Sequence, residues 1–206
     1  MTKGSVTRDA ILATAVDRAY RVGLGGLTIG DLAVSLEMSK SGLYAHFGSK
    51  ESLQLAVLDR ARLEFTESVI RPALAAPRGE ARVRELFERW LRCGLERAPG
   101  GCLFVKASME LDEQVGPVRD QLARDHRDLY ATIARVFGTG IAAGQFRADA
   151  DPDQFAVELD GVMLAFYHWH RLLDDELAPV RARRAFEGLL DAARIRSALS
   201  DLTCPT

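Results

Sequence analysis

Proline is the residue that constrains this chain first. All seven prolines lie at or beyond Pro72, so the opening third can run as helix with only glycine to punctuate it. Periodicity agrees. Within 7–22 the apolar residues Leu12, Ala15, Val16, Ala19 and Tyr20 fall at helical spacing, with Thr7 placed to cap the start and Gly23 to stop the end. Thr28 and Asp31 form a second start signal, and Ile29, Leu32, Ala33 and Leu36 recur at i, i+3, i+4 and i+7 over about two turns. Ser39 caps a third, short segment anchored by Leu43, Tyr44 and Phe47. Gly48-Ser49 ends that segment, and Ser49 caps a longer helix to about residue 70. Two short helices joined by a tight turn behind a longer one read as a helix-turn-helix unit.

The remainder repeats the helical pattern. Residues 80–97 carry Val83, Leu86, Phe87, Trp90 and Leu91 on one face, and Pro99-Gly-Gly101 breaks the chain. Further helices are expected at 103–112, at 117–143, at 154–173 behind Asp151 as N-cap and Pro152 at the first position, and at 180–199 behind Pro179. No segment alternates with period two. The expected fold is all-α with about nine helices: a domain over 1–50 holding the helix-turn-helix, and a larger helical domain over 51–206.

Composition narrows the function class. Of 206 residues, 48% are apolar and 27% charged, too apolar for intrinsic disorder. The net charge of −2 gives no basic excess, but residues 1–60 hold seven basic against six acidic side chains, so the opening segment is slightly positive and the rest acidic. Three cysteines do not make a disulfide framework and fit a reducing cytoplasm. The first residues meet Asp9 before any apolar core of a signal peptide can form, and no stretch is long and apolar enough to span a membrane. Enzyme motifs are absent. There is no G-x-x-x-x-G-K or H-E-x-x-H, Gly138-Thr-Gly140 lacks the third glycine of a dinucleotide loop, and no histidine follows a glutamate by three residues. His168 and His170, two apart on a helix, do not face each other and make a poor chelate, so no metal and no cofactor is expected. Cys93 and Cys102 read as small buried thiols, with a redox pair as the alternative, and Cys204 falls in a tail.

Residues 28–53 carry the informative pattern: Thr28, Leu32-Ala33, Ser39-Lys40, then Leu43-Tyr44-x-His46-Phe47-x-Ser49-Lys50-Glu51-x-Leu53. This resembles the DNA-binding domain of the TetR (tetracycline repressor) family of bacterial transcription regulators, sharply over about residues 7–55. The resemblance implies base or near-base contacts from Lys40, Ser41 and Gly42, beside Ser39. It implies phosphate contacts from Thr28, Tyr44, His46 and Lys50. A lysine in the first turn of a helix is disfavoured by the macrodipole, and an anionic partner would relieve it. Leu43 and Phe47 read as core. Where the family often has glycine in the turn before the recognition helix, this chain has Leu36-Glu37-Met38, so a non-glycine residue must take the left-handed conformation.

The resemblance also implies a homodimer that binds double-stranded operator DNA and a small-molecule effector. Pocket candidates are Phe65, Trp90, Cys93, Phe104, Met109, Tyr130, Phe137 and Phe166. Dimer candidates on the last two helices are Val162, Phe166, Trp169, Phe186 and Leu189. The function so implied is a repressor, not an enzyme, released from its operator by ligand. The residues alone leave open a regulator without effector, an activator, or a helical partner-binding protein whose helix-turn-helix is structural.

Overall fold

The computed structural model describes residues 3–97 and 101–195. These residues fold into nine helices: α1 (Lys3–Val22), α2 (Ile29–Ser35), α3 (Lys40–Phe47), α4 (Lys50–Phe65, prolonged by a π turn at Thr66–Ile70 and a last stretch at Arg71–Ala75), α5 (Glu80–Glu96), α6 (Leu103–Leu111), α7 (Pro117–Ala142), α8 (Pro152–Arg171) and α9 (Ala178–Ala193). Among them there is no strand, only an isolated antiparallel bridge between Phe146 and Arg194. The all-α expectation holds.

The boundaries follow local chemistry. Asp151 Oδ1 accepts the N–H groups of Asp153 (2.9 Å) and Gln154 (3.2 Å), and Pro152 opens α8. Gly23 ends α1 at a φ of 77°. Three boundaries differ from expectation. Helix α1 starts at Lys3, a turn before the expected cap, so Thr7 lies inside it. The long helix passes residue 70 by widening one turn: the N–H of Arg71 reaches back to the carbonyl of Thr66, just before Pro72, which has no N–H to extend the ladder. The last helix stops at Ala193, short of the expected Leu199: Arg194 is extended and bridges to Phe146. The expected break at Pro99-Gly100 and Cys204 lie outside the described residues.

The chain divides into two compact units, residues 1–72 with 88–129, and residues 73–87 with 130–206. In the first, α1 presents Ile11, Ala15 and Ala19 to Leu32 of α2, Leu43 and Phe47 of α3, and Leu53 and Val57 of α4. Leu103, Ala107 and Leu111 of α6 and Val118 and Leu122 of α7 belong to the same core. The apolar cluster that holds the helix-turn-helix therefore draws on residues far beyond 50, where the sequence pattern alone sets its end.

In the second unit Phe137 stacks on Phe146 (4.6 Å) and Phe155 (4.1 Å), and Phe87 stacks on Phe186 (4.0 Å). Gly140 has a packing reason: a Cβ there would overlap the Phe146 ring. At the start of α5 the orphan N–H groups of Gly79 and Glu80 are accepted by Thr139 Oγ1 (3.0 Å) and Gln145 Oε1 (2.8 Å). Glu80 also accepts from Arg84 (2.8 Å) and Arg194 (2.6 Å). The hydrogen bonds from Arg194, and then from Arg84, hold its carboxyl down to about 2, below the usual 4.5. A carboxylate depressed on folding adds stability above its unfolded pKa, and that stability is lost as pH falls through the folded value. The thermal stability gap between wild type and Glu80→Gln is expected to be full near pH 6 and to shrink between about pH 4.5 and pH 2. A gap that does not change with pH would refute this role.

Candidate nucleic-acid interface

Three short-range caps set the reader's geometry. The side-chain oxygens of Thr28, Ser39 and Ser49 accept the N–H groups of Asp31 (3.0 Å), Gly42 (3.1 Å) and Ser52 (3.0 Å). Each fixes the start of one helix, α2, α3 and α4, at the residue the sequence indicates. Gly48, at a φ of 72°, stops α3 and lets the chain turn into α4.

Within α3, Leu43 and Phe47 are buried one turn apart. The opposite face is open: Lys40, Ser41 and Tyr44 are exposed, Tyr44 at 51%. Ser39 and Thr28 are exposed beside them, while Gly42 and His46 are half-buried. Gly30 leaves room for the Lys40 side chain, since a Cβ there would come within 3.3 Å of its Cε. The eight expected contact residues thus lie on or beside the exposed ends of α2, α3 and α4. The turn between α2 and α3 carries Glu37 at a φ of 52°, the left-handed non-glycine residue that the sequence requires there.

Two cations are tied inward. Lys50 Nζ donates to the carbonyl of Gly25 (2.8 Å), which supplies part of the relief expected of an anionic partner and leaves two N–H donors outward. Arg8 places its guanidinium over the Phe47 ring (4.6 Å) and donates to the carbonyl of His46 at the carboxyl end of α3. Sequence reasoning missed Arg8, because its partners lie some 38 residues on.

The expected pocket residues are divided between the units. In the first, Trp90 is buried and meets Phe65 edge-on (6.0 Å), and Phe104 meets His126 edge-on (6.3 Å). The indole N–H of Trp90 has no hydrogen-bond partner among the described residues. Nearby chemistry includes buried Asp125, whose Oδ1 accepts from Gln121 (2.9 Å) and pairs with Arg62 (3.5 Å); burial pushes its carboxyl up. Burial also pushes the half-buried Cys93 thiol up, which keeps it protonated. Met109 departs from expectation. It is 69% exposed and turned to solvent, because Ala107 and Leu111 occupy the inward face of α6. In the second unit Phe137 is fully buried in its aromatic stack. The Tyr130 hydroxyl donates to Asp160 (2.9 Å), and burial, with that carboxylate beside it, raises the phenol to about 12.

Val162, Phe166, Trp169 and Leu189 line a groove of about 490 Å³ between α8 and α9, floored by small residues such as Gly161 and Ala182. Trp169 is 45% exposed, with the Arg181 guanidinium over its ring at 5.1 Å. Phe186 corrects its expected place at an interface. It points the other way, stacked on Phe87 and 2% exposed.

The turn gives a direct check on the reader. Glu37→Gly removes a left-handed side chain at a cost of glycine's extra unfolded-state freedom, so a gain of up to about 1 kcal/mol in stability is expected in chemical denaturation. A loss of stability would show that Glu37 is held by something other than its backbone.

Known proteins match along the chain. Residues 11–57 match the family described as bacterial regulatory proteins, tetR family, and residues 79–186 match the tetracyclin repressor-like C-terminal domain. The HTH-type transcriptional repressor NemR of Escherichia coli K12 is 26% identical over 137 residues, covering 65% of this chain and 68% of that protein. A TetR transcriptional regulator from Chloroflexus aurantiacus superposes with a TM-score of 0.83 at 25% identity, covering 95% of this chain and all of its own. AibR, solved in complex with isovaleryl coenzyme A and operator DNA, shares the fold with a TM-score of 0.70 at 21% identity, over 91% of this chain and 97% of its own. With a reader built on α2 and α3 and both family domains matched, the chain belongs to the TetR family and is a DNA-binding transcription regulator.

Proposed function

We propose that two copies of this chain repress transcription by holding a near-palindromic operator, and that a small molecule bound among the helices behind the reader releases it. One observation carries the operator reading: α3 buries Leu43 and Phe47 and leaves Lys40, Ser41 and Tyr44 exposed along its outer side. A short helix with small and hydrogen-bonding residues at its start can enter the major groove with that end against base edges. Lys40, Ser41 and Gly42 meet bases in this reading, beside Ser39. Thr28, Tyr44, His46 and the outward donors of Lys50 meet phosphates, helped by the helix N-termini at Thr28 and Ser49.

One such helix reads few base pairs, so specificity calls for two readers about one DNA turn apart, ~34 Å. The groove between α8 and α9 is the surface we assign to the second copy. It is apolar, lined with small residues that allow close approach, and flanked by exposed Trp169 and Val180. Substituting Leu189→Glu is expected to convert a dimer into a monomer by light scattering at micromolar concentration. An unchanged mass would move the interface elsewhere.

For the effector, Phe65, Trp90 and Phe104 offer aromatic walls, and the unpartnered Trp90 N–H offers a donor to a ligand acceptor. Ligand and operator then weaken each other by the same factor. The reading is of a cytoplasmic regulator acting on DNA rather than an enzyme. No described helix is long and apolar enough to cross a membrane.

The test is a gel shift on DNA upstream of the protein's own gene. Tyr44→Phe and Lys40→Ala are each expected to weaken binding, and Lys50→Ala to lower the salt slope by about one unit while weakening all sequences alike. Equal binding by the triple variant and wild type at several salt concentrations would remove these residues from the interface.

A further inference from the structure

Helix α6 carries two charged side chains on one face that the operator reading does not use. Lys106 and Glu110 are four apart, so they project from consecutive turns. Lys106 Nζ donates to the carbonyls of Tyr20 (2.6 Å) and Arg21 (3.1 Å), in the last turn of α1, where no helical N–H remains to serve those oxygens. Glu110 Oε2 accepts the backbone N–H of Gly25 (2.8 Å), an orphan donor on the other side of the α1–α2 turn. Its carboxylate fills the space over Gly23, where a Cβ would overlap it. From α4, Lys50 takes the carbonyl of Gly25 (2.8 Å) and Gln54 that of Leu24 (2.8 Å). Just beyond α5, the Arg97 guanidinium lies over the Tyr20 ring at 4.0 Å.

From this arrangement we infer that Lys106 and Glu110 are positioning residues for DNA recognition: they clamp both sides of the α1–α2 turn and so set the angle at which α2 and α3 are presented. The inference rests on the operator reading above and deepens it. The clamp acts through charge-assisted bonds to backbone atoms, which are strong and directional, whereas the apolar contacts of Leu103, Ala107 and Leu111 with the same core tolerate small sliding and rotation. The two charges have opposite sign and match what they touch: the cation meets the carbonyl end of α1, and the carboxylate meets an N–H. Neither residue faces the exposed side of α3, so removing them changes no DNA contact.

A clamp that sets an angle affects spacing more than contact. The experiment therefore selects an operator for the full-length wild type from random duplex DNA, then measures affinity on a series with the half-sites moved apart or together by one to three base pairs. Wild type is expected to prefer its selected spacing by at least tenfold. Lys106→Met with Glu110→Ala is expected to lose affinity at that spacing and to flatten the preference to under threefold, with affinity for random duplex unchanged. Glu110→Gln, which keeps an acceptor oxygen for Gly25, restores the preference when Lys106 is present. If the double variant fails to fold by circular dichroism, Lys106→Met alone is read on the same duplexes. Variants that keep the wild-type spacing preference, or that lose all DNA affinity in equal measure, overturn the clamp. Wild type that selects no DNA overturns the operator reading itself.

Discussion

A helix of eight residues has too few internal hydrogen bonds to offset its nucleation cost, so α3 exists only because other elements hold it. Leu43 and Phe47 are buried against α1 and α4, Ser39 caps one end, and Gly48 turns the other. Arg8 seals the carboxyl end through its contact with the His46 carbonyl and the Phe47 ring. Half of the helix must face inward for stability, which fixes the residues that remain outside. Lys40, Ser41 and Tyr44 are presented outward as a consequence of where the leucine and phenylalanine go. The surface proposed to face DNA is the remainder left by the chain's own packing.

That dependence extends well past the helix-turn-helix. The core that receives Leu43 and Phe47 also takes in Leu103 and Ala107 of α6 and Leu122 of α7. Polar and charged side chains then fix what the apolar contacts leave free, through Lys50, Gln54, Lys106 and Glu110 around the turn between α1 and α2. The turn is rich in glycine, so its backbone N–H and carbonyl groups are accessible to side chains from α4 and α6. A bulkier turn could not be held this way.

What the sequence revealed and what it hid follow from the range of each interaction. The caps at Thr28, Ser39, Ser49 and Asp151 bond within three residues of themselves, and each was legible. So was a left-handed non-glycine residue within Leu36-Glu37-Met38, which the family resemblance implies and which the structure places at Glu37. The inward pull on Lys50 was not, because its partner lies 25 residues back in a loop with no periodicity to mark it. Lys106 reaches across 86 residues to α1, and on its own helix it resembles an ordinary solvated charge. Phe186 and Leu189 share a helix and an apolar character, and only the position of Phe87 decides that one is core while the other lines the groove. Gly138-Thr-Gly140 could be dismissed as a dinucleotide loop from its spacing, but the reason for Gly140, the Phe146 ring against it, lies in the packing.

The central claim is that two identical readers engage one face of a duplex. Hydroxyl-radical footprinting of the full-length protein on its operator measures this directly. The account predicts two protected patches on each strand, related by a two-fold axis and centred about one helical turn, ~10 base pairs, apart. A single protected patch at saturating protein, or protection with no two-fold relation, would contradict it.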